Sequence, residues 1–174
     1  MARVSTTLLL ALLITAPALA VTPPPTGSFN FTFAVDLPGP PDEMYDALTG
    51  DISGWWDHTM SDAPLSLELQ AWPGGHFLET FDDTGEGVIH ATVTYAQRGQ
   101  KLMMVGPLGL AGHAIHMVTT YEMEQLEGGR SRLTVTVHAA GEVHPGWDEI
   151  VLQTWHHFID DRFLPWVTAG NHRE

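Results

Sequence analysis

The chain has 174 residues, 44% of them hydrophobic, the size and apolarity of one globular domain whose core needs no covalent staple. It contains no cysteine, which excludes disulfides, thiolate metal centres and cysteine nucleophiles and leaves any chemistry to carboxylates, histidines, hydroxyls and backbone. Seven basic residues against 21 acidic ones give a formal net charge of −14, a sign that repels nucleic acid and anionic lipid surfaces.

In chain order, a short basic start (residues 1–3), an apolar run (8–14) and the small-x-small pattern Ala18-Leu19-Ala20 have the form of a secretory signal peptide. Residues 1–20 are therefore expected to be cleaved after Ala20, and the mature protein to be exported to the periplasm or beyond the cell. The run is too short to cross ~30 Å of hydrocarbon and Pro17 interrupts it, so no stable membrane insertion is expected after cleavage. Residues 21–27, with Pro23-Pro24-Pro25, make a stiff spacer. The folded domain is expected over 28–169.

Phe29, Phe31, Phe33 and Val35 alternate with polar or small residues, which predicts a strand over 28–35 with one buried face. Pro38 to Pro41 breaks it. Met44, Tyr45 and Leu48 then recur at helical spacing behind Asp42 and Glu43, predicting a short helix over 42–48 that ends at Gly50. A second short helix over 51–57 would carry Trp55 and Trp56. From Leu65 the period returns to two, and strands are predicted at 77–81, 87–95, 102–105, 115–125 and 132–139. The turns between them, Pro73-Gly74-Gly75, Asp82-Asp83-Thr84-Gly85, Gln97-Arg98-Gly99 and Glu127-Gly128-Gly129, are short enough to make antiparallel hairpins. A long amphipathic helix over 147–163 closes the chain, with Trp147, Val151, Trp155, Phe158 and Ile159 on its apolar arc. That order predicts an α+β fold: a curved antiparallel sheet wrapped around the last helix, with two short helices after the first strand.

Four local motifs occur in order: Pro41-Asp42-Glu43-Met44-Tyr45-Asp46-Ala47-Leu48-Thr49, Trp55-Trp56, Pro73-Gly74-Gly75-His76-Phe77, and Ser131-Arg132-Leu133-Thr134-Val135-Thr136. With this layout the chain resembles the START-like, helix-grip (SRPBCC) superfamily, nearest the branch of homologues of the activator of the 90-kDa heat-shock protein ATPase. The resemblance implies a helix-grip fold with a cavity between sheet and C-terminal helix, used across the superfamily for lipids, polyketides, hormones and other apolar molecules. It implies no particular reaction. The co-chaperone role of the branch needs a cytosolic partner that an exported chain would not meet.

The side chains expected to face such a cavity are Leu67, Leu69, Phe77, Val93, Met104 and Met117, with Tyr121, Met123, Val135, Trp147, Val151 and Trp155; the plain alternative is that they pack into a filled core. Trp56 and the apolar, Gly-rich stretch 106–112 are candidates for a lid or pocket mouth. Glu79 shares phase with Phe77 and Phe81, so it points inward, where a carboxylate needs a partner or a raised pKa; it is the first candidate for a polar anchor or general acid. If the strand twists, it reaches solvent instead. Thr119 and Tyr121 share the inward phase of their strand, and His113 begins that strand.

No metal site is expected, because His113 and His116 fall on opposite faces of a strand and His156 and His157 lack a partner one helical turn away. No Gly-x-Ser-x-Gly, Walker, dinucleotide or calcium-loop motif occurs, so no cofactor is expected either. Three functions fit: an exported binding domain for a small apolar or amphipathic ligand; an enzyme of the same fold using Glu79 with His113 or Tyr121; and a protein-interaction module presenting Trp55, Trp56 and the 106–112 loop.

Overall fold

A computed structural model describes residues 22–173; the expected signal peptide and Val21 lie outside the described residues. Eight strands form a single antiparallel sheet in the order β1-β8-β7-β6-β5-β4-β3-β2. They are β1 (Thr26–Leu37), β2 (Gly50–Asp51), β3 (Ser66–Leu69), β4 (His76–Thr80), β5 (Gly87–Gln97), β6 (Lys101–Val105), β7 (Ile115–Gln125) and β8 (Ser131–Glu142). Every turn read from the sequence joins neighbouring strands, and the one non-local pairing places β1 beside β8 over its whole length, from Thr26↔Glu142 to Leu37↔Ser131. The spacer is shorter than expected, since Thr26 and Gly27 already pair in β1.

After β1 comes α1 (Pro41–Leu48), which buries Met44, Tyr45, Ala47 and Leu48. Pro41 suits the first turn of a helix, where its missing N–H would have no partner. The second short helix does not form. Gly50 and Asp51 pair with β3, the Ile52 N–H reaches the Leu67 carbonyl at 3.0 Å, and only one turn follows, Trp55 and Trp56 both donating to the Ile52 carbonyl. Helical continuation loses to this edge pairing. Gly54 lies against the Trp166 indole, where a Cβ would sit 2.8 Å from Nε1.

The C-terminal rod begins as α2 (Trp147–His156), widens into a π-helical stretch His157–Phe163, and returns to α geometry in α3 (Leu164–Thr168). Hydrogen bonds running i to i+5 bring residues five apart onto one face. Phe158 and Phe163 therefore both face the core, and His157 and Arg162 both reach Asp57, at 3.0 and 3.1 Å. The sheet curves around this rod with the help of two β-bulges, one opposite Phe77/Leu78 and one at Val93/Tyr95. No helix among the described residues is long and apolar enough to cross a membrane.

Candidate functional site: a cavity with a buried carboxylate–imidazole pair

A cavity of about 340 Å³ opens between the sheet and α2, at the low end of the ~300–1,000 Å³ range of small-molecule sites. Its floor is His90 of β5 and Met117 of β7; the turn Pro107–Leu110 between β6 and β7 forms one rim. Trp56 and the loop residues His58, Thr59 and Met60 form the opposite wall, and Ile150, Val151, Thr154, Trp155 and Phe158 close it from the helix. Trp56 stacks on Phe158 with ring centroids 3.7 Å apart and meets Phe77 edge-on at 4.9 Å, a rigid aromatic corner. Its indole N–H donates to the His58 carbonyl at 2.7 Å, fixing the start of the loop wall. Met60 and Ile150, both well exposed, stand at the mouth.

His90 reaches the floor through a break in strand alternation. Phe77 pairs with Ala91 while Leu78 pairs with Ile89, so His90 has no partner on β4 and is the extra residue of a bulge. Both His90 and Ala91 consequently turn inward, at 4% and 2% exposure, where strict alternation would send one of them out. Gly106 makes room for the crossing rim strand: a Cβ there would lie 2.3 Å from the His90 carbonyl oxygen and 2.4 Å from the Ala91 Cα.

Glu79 does point inward and is fully buried. It does not line the cavity; it holds the groups that do. Its carboxylate accepts the Met60 N–H at 2.9 Å and the Ser61 N–H at 2.7 Å, pinning the loop wall over the sheet, and lies 2.8 Å from Nε2 of His90. Burial pushes its pKa up, but the two backbone donors and the imidazole more than offset this and hold it below the ordinary carboxylate value. Of the two outcomes open from the sequence, a partner or a raised pKa, the structure supplies partners, and the carboxylate is hydrogen-bonded as the charged form. Nε2 is the engaged nitrogen of His90, and the imidazole forms part of the cavity lining.

Of the side chains expected to face the cavity, Trp56, Met117, Val151 and Trp155 line it. Leu69, Phe77, Val93, Met104, Thr119, Tyr121 and Val135 do not; each is at most 2% exposed and packs in the filled part of the core. The sheet face is longer than the hollow, and Trp155, Ile159 and Phe163 fill the remainder. Tyr121 packs edge-on against Trp155 at 5.8 Å, and burial drives its phenol pKa up. Glu79 makes no hydrogen bond to either Tyr121 or His113, so the catalytic pairings considered from the sequence are not assembled. Trp55 and Trp56 are buried rather than displayed, so of the surface considered for an interaction module only the 106–112 loop is partly exposed.

His113 stands apart, in the turn before β7. Its Nδ1 lies 2.8 Å from Glu142 Oε1, and Nε2 of His144 lies 2.9 Å from the same oxygen, while Glu142 Oε2 accepts the Ala114 N–H at 3.1 Å. His144, His113 and this N–H hold the Glu142 pKa down at about 2. Trp147 belongs to this cluster rather than to the cavity, with its ring 4.9 Å from His113 and 4.7 Å from His144. A second cluster gathers His58, His157 and Arg162 around Asp57. The partners of His113 come from β8 and the segment after it, not from its own strand.

His90 carried no local signal, since period-two reading turns it outward. The bulge is visible only in the pairing of β4 with β5. Thr154 and Ile150 flank the apolar arc of α2 and were hidden by the same averaging over a face.

No protein-family model and no curated protein matches the chain. Solved structures do resemble it. A protein of unknown function from Staphylococcus aureus aligns over 86% of this chain and 98% of its own, with a TM-score of 0.63 and 11% identity. A Rhizobium loti protein aligns over 78% and 95%, with a TM-score of 0.58 and 18% identity. Ara h 8.0201 aligns over 82% and 99%, with a TM-score of 0.57 and 16% identity. At such identities the likeness is one of fold: the chain has the helix-grip, Bet v1-like α+β fold, a curved eight-stranded antiparallel sheet around a long C-terminal helix.

Proposed function

We propose that this protein is an exported binding domain for a small apolar or amphipathic molecule, of the SRPBCC type and nearest the branch indicated by its four sequence motifs. The observation that carries the reading is the cavity of about 340 Å³ whose walls are aromatic and aliphatic and whose floor offers one buried imidazole. Apolar walls supply affinity by removing ligand surface from water, and a single fixed polar group orients the ligand. A ligand with a compact apolar body and one hydrogen-bonding group suits this arrangement. Export rests on the signal-peptide pattern of residues 1–20.

Native mass spectrometry of protein isolated from its own organism tests the reading. The expected result is a non-covalent small molecule that is lost in Val151→Phe, which fills the hollow from α2. Ligand-free protein whose tryptophan emission, with Trp56 and Trp155 in the wall, also fails to respond to a panel of fatty acids, sterols and aromatic alcohols would overturn it.

A second reading is favoured by the Glu79–His90 pair. A buried carboxylate that fixes one imidazole nitrogen leaves the other positioned as a general base toward the cavity. On this reading the bound molecule would be recovered chemically altered, and His90→Gln would leave it intact.

A further inference from the structure

We propose that His113, Glu142 and His144 form a binding site for one divalent transition-metal ion of the zinc class, apart from the cavity and close to the start of α2. The site is independent of what the cavity holds. Its donor atoms, two imidazole nitrogens and a carboxylate oxygen, lie within 4.8 Å of one another. Both imidazoles converge on a single oxygen, Glu142 Oε1, at 2.8 and 2.9 Å, with ring planes 77° apart, so the lone pairs meet from different directions. A tetrahedral ion with bonds of ~2.0–2.2 Å needs its donors only slightly farther apart than this, which modest side-chain rotation provides.

The surroundings are those of a ligand set rather than of a fortuitous contact. The Ala114 N–H holds the second carboxylate oxygen at 3.1 Å, the outer-sphere bond that fixes the orientation of a metal-binding carboxylate. Trp147 packs against both rings and covers one side. Among the described residues the ionic partners of Glu142 are His113 and His144, with no lysine or arginine competing for it. The Asp57 cluster differs in this respect: Arg162 Nε lies 3.1 Å from Asp57 Oδ2 and already supplies the positive charge an ion would bring. Two imidazoles and one carboxylate suit zinc, nickel or copper rather than calcium or magnesium, which take oxygen ligands.

Binding exchanges two hydrogen bonds for coordination. Nδ1 of His113 and Nε2 of His144 present lone pairs to the ion, and each neutral ring carries its proton on its other nitrogen. Three protein ligands leave a fourth position for water or an external donor. The ligands come from the segment before β7, from the end of β8 and from the connection into α2, so a bound ion ties these three segments together.

The test is a titration of untagged protein with Zn²⁺ followed by calorimetry, on wild type, His113→Ala/His144→Ala and His157→Ala, with circular dichroism showing that all three are folded. The expected result is one high-affinity equivalent in wild type, unchanged in His157→Ala and weakened about 100-fold or more in the double variant. Co²⁺ substitution should give the visible absorption of a low-coordinate nitrogen–oxygen site in wild type and in His157→Ala but not in the double variant. Absence of Zn²⁺ binding below millimolar concentration, a loss of less than tenfold in the double variant, or loss in His157→Ala instead overturns the proposal.

Discussion

Two carboxylates in this molecule each gather imidazole and backbone N–H around them, and they live in opposite environments. Glu79 is fully buried and meets one half of its demand through the loop 58–63 and the other through His90. Glu142 stands near the surface, with His113 and His144 about two-fifths exposed beside it. Similar donors therefore do different work. In the interior, removing one partner leaves a stranded charge and stranded N–H groups, so the pair is structural and also orients the cavity floor. Near the surface, water replaces whatever is lost, so the cluster is free to exchange its hydrogen bonds for another ligand.

The sharpest way to break the comparison is to delete each carboxylate. Glu79→Ala should lower unfolding free energy in urea by about 3 kcal/mol, because the Met60 and Ser61 N–H groups and His90 lose their common acceptor out of reach of water. It should also free the loop wall, seen as loss of hydrogen-exchange protection at Met60 and Ser61. Gly106→Ala comes next, at about 1–3 kcal/mol, since a Cβ has no space above the His90 bulge and the rim must shift. Its midpoint of thermal unfolding should fall together with ligand binding.

Acid separates the charged interior from the rest more gently. Glu79 has a folded pKa below its ordinary value of 4.5, so the stability it contributes is fully present above that value and is lost as pH falls through the lower, folded one. Urea midpoints measured from pH 6 to pH 3 should decline more steeply in wild type than in Glu79→Gln. Equal slopes would show that the carboxylate is not held as an anion. The smallest effect is expected from Glu142→Gln: with His113 and His144 partly exposed to solvent, its unfolding midpoint at neutral pH should fall by much less than that of Glu79→Ala in the same measurement. A loss as large as that of Glu79→Ala would erase the distinction between interior and surface.

Much of the fold was legible from residues 28–163. The alternation in β8, with Leu133, Val135, Val137 and Ala139 all buried, and the Gly-rich turns between strands are local properties, decided by side-chain period and backbone freedom within a few residues. The apolar arc of the C-terminal helix was equally readable, as was the inward phase of Glu79. What could not be read was set by pairing between distant segments. The region 51–57 reads as a helix until Ile52 is drawn to Leu67, and His90 reads as outward until β4 and β5 slip by one residue. The pairing of His113 with Glu142 is likewise made only where the end of β8 comes beside the turn before β7.

Patterns of hydrophobicity and turn chemistry were thus enough for the antiparallel sheet, the gripping helix, the acidic surface and the absence of thiol chemistry, because each depends on residues adjacent in the chain. Where the hollow lies, which imidazole faces it and which carboxylates acquire partners were decided in three dimensions. Those features depend on register between strands and on how completely one helix fills a curved sheet, and a shift of a single residue in either reverses which side chains meet.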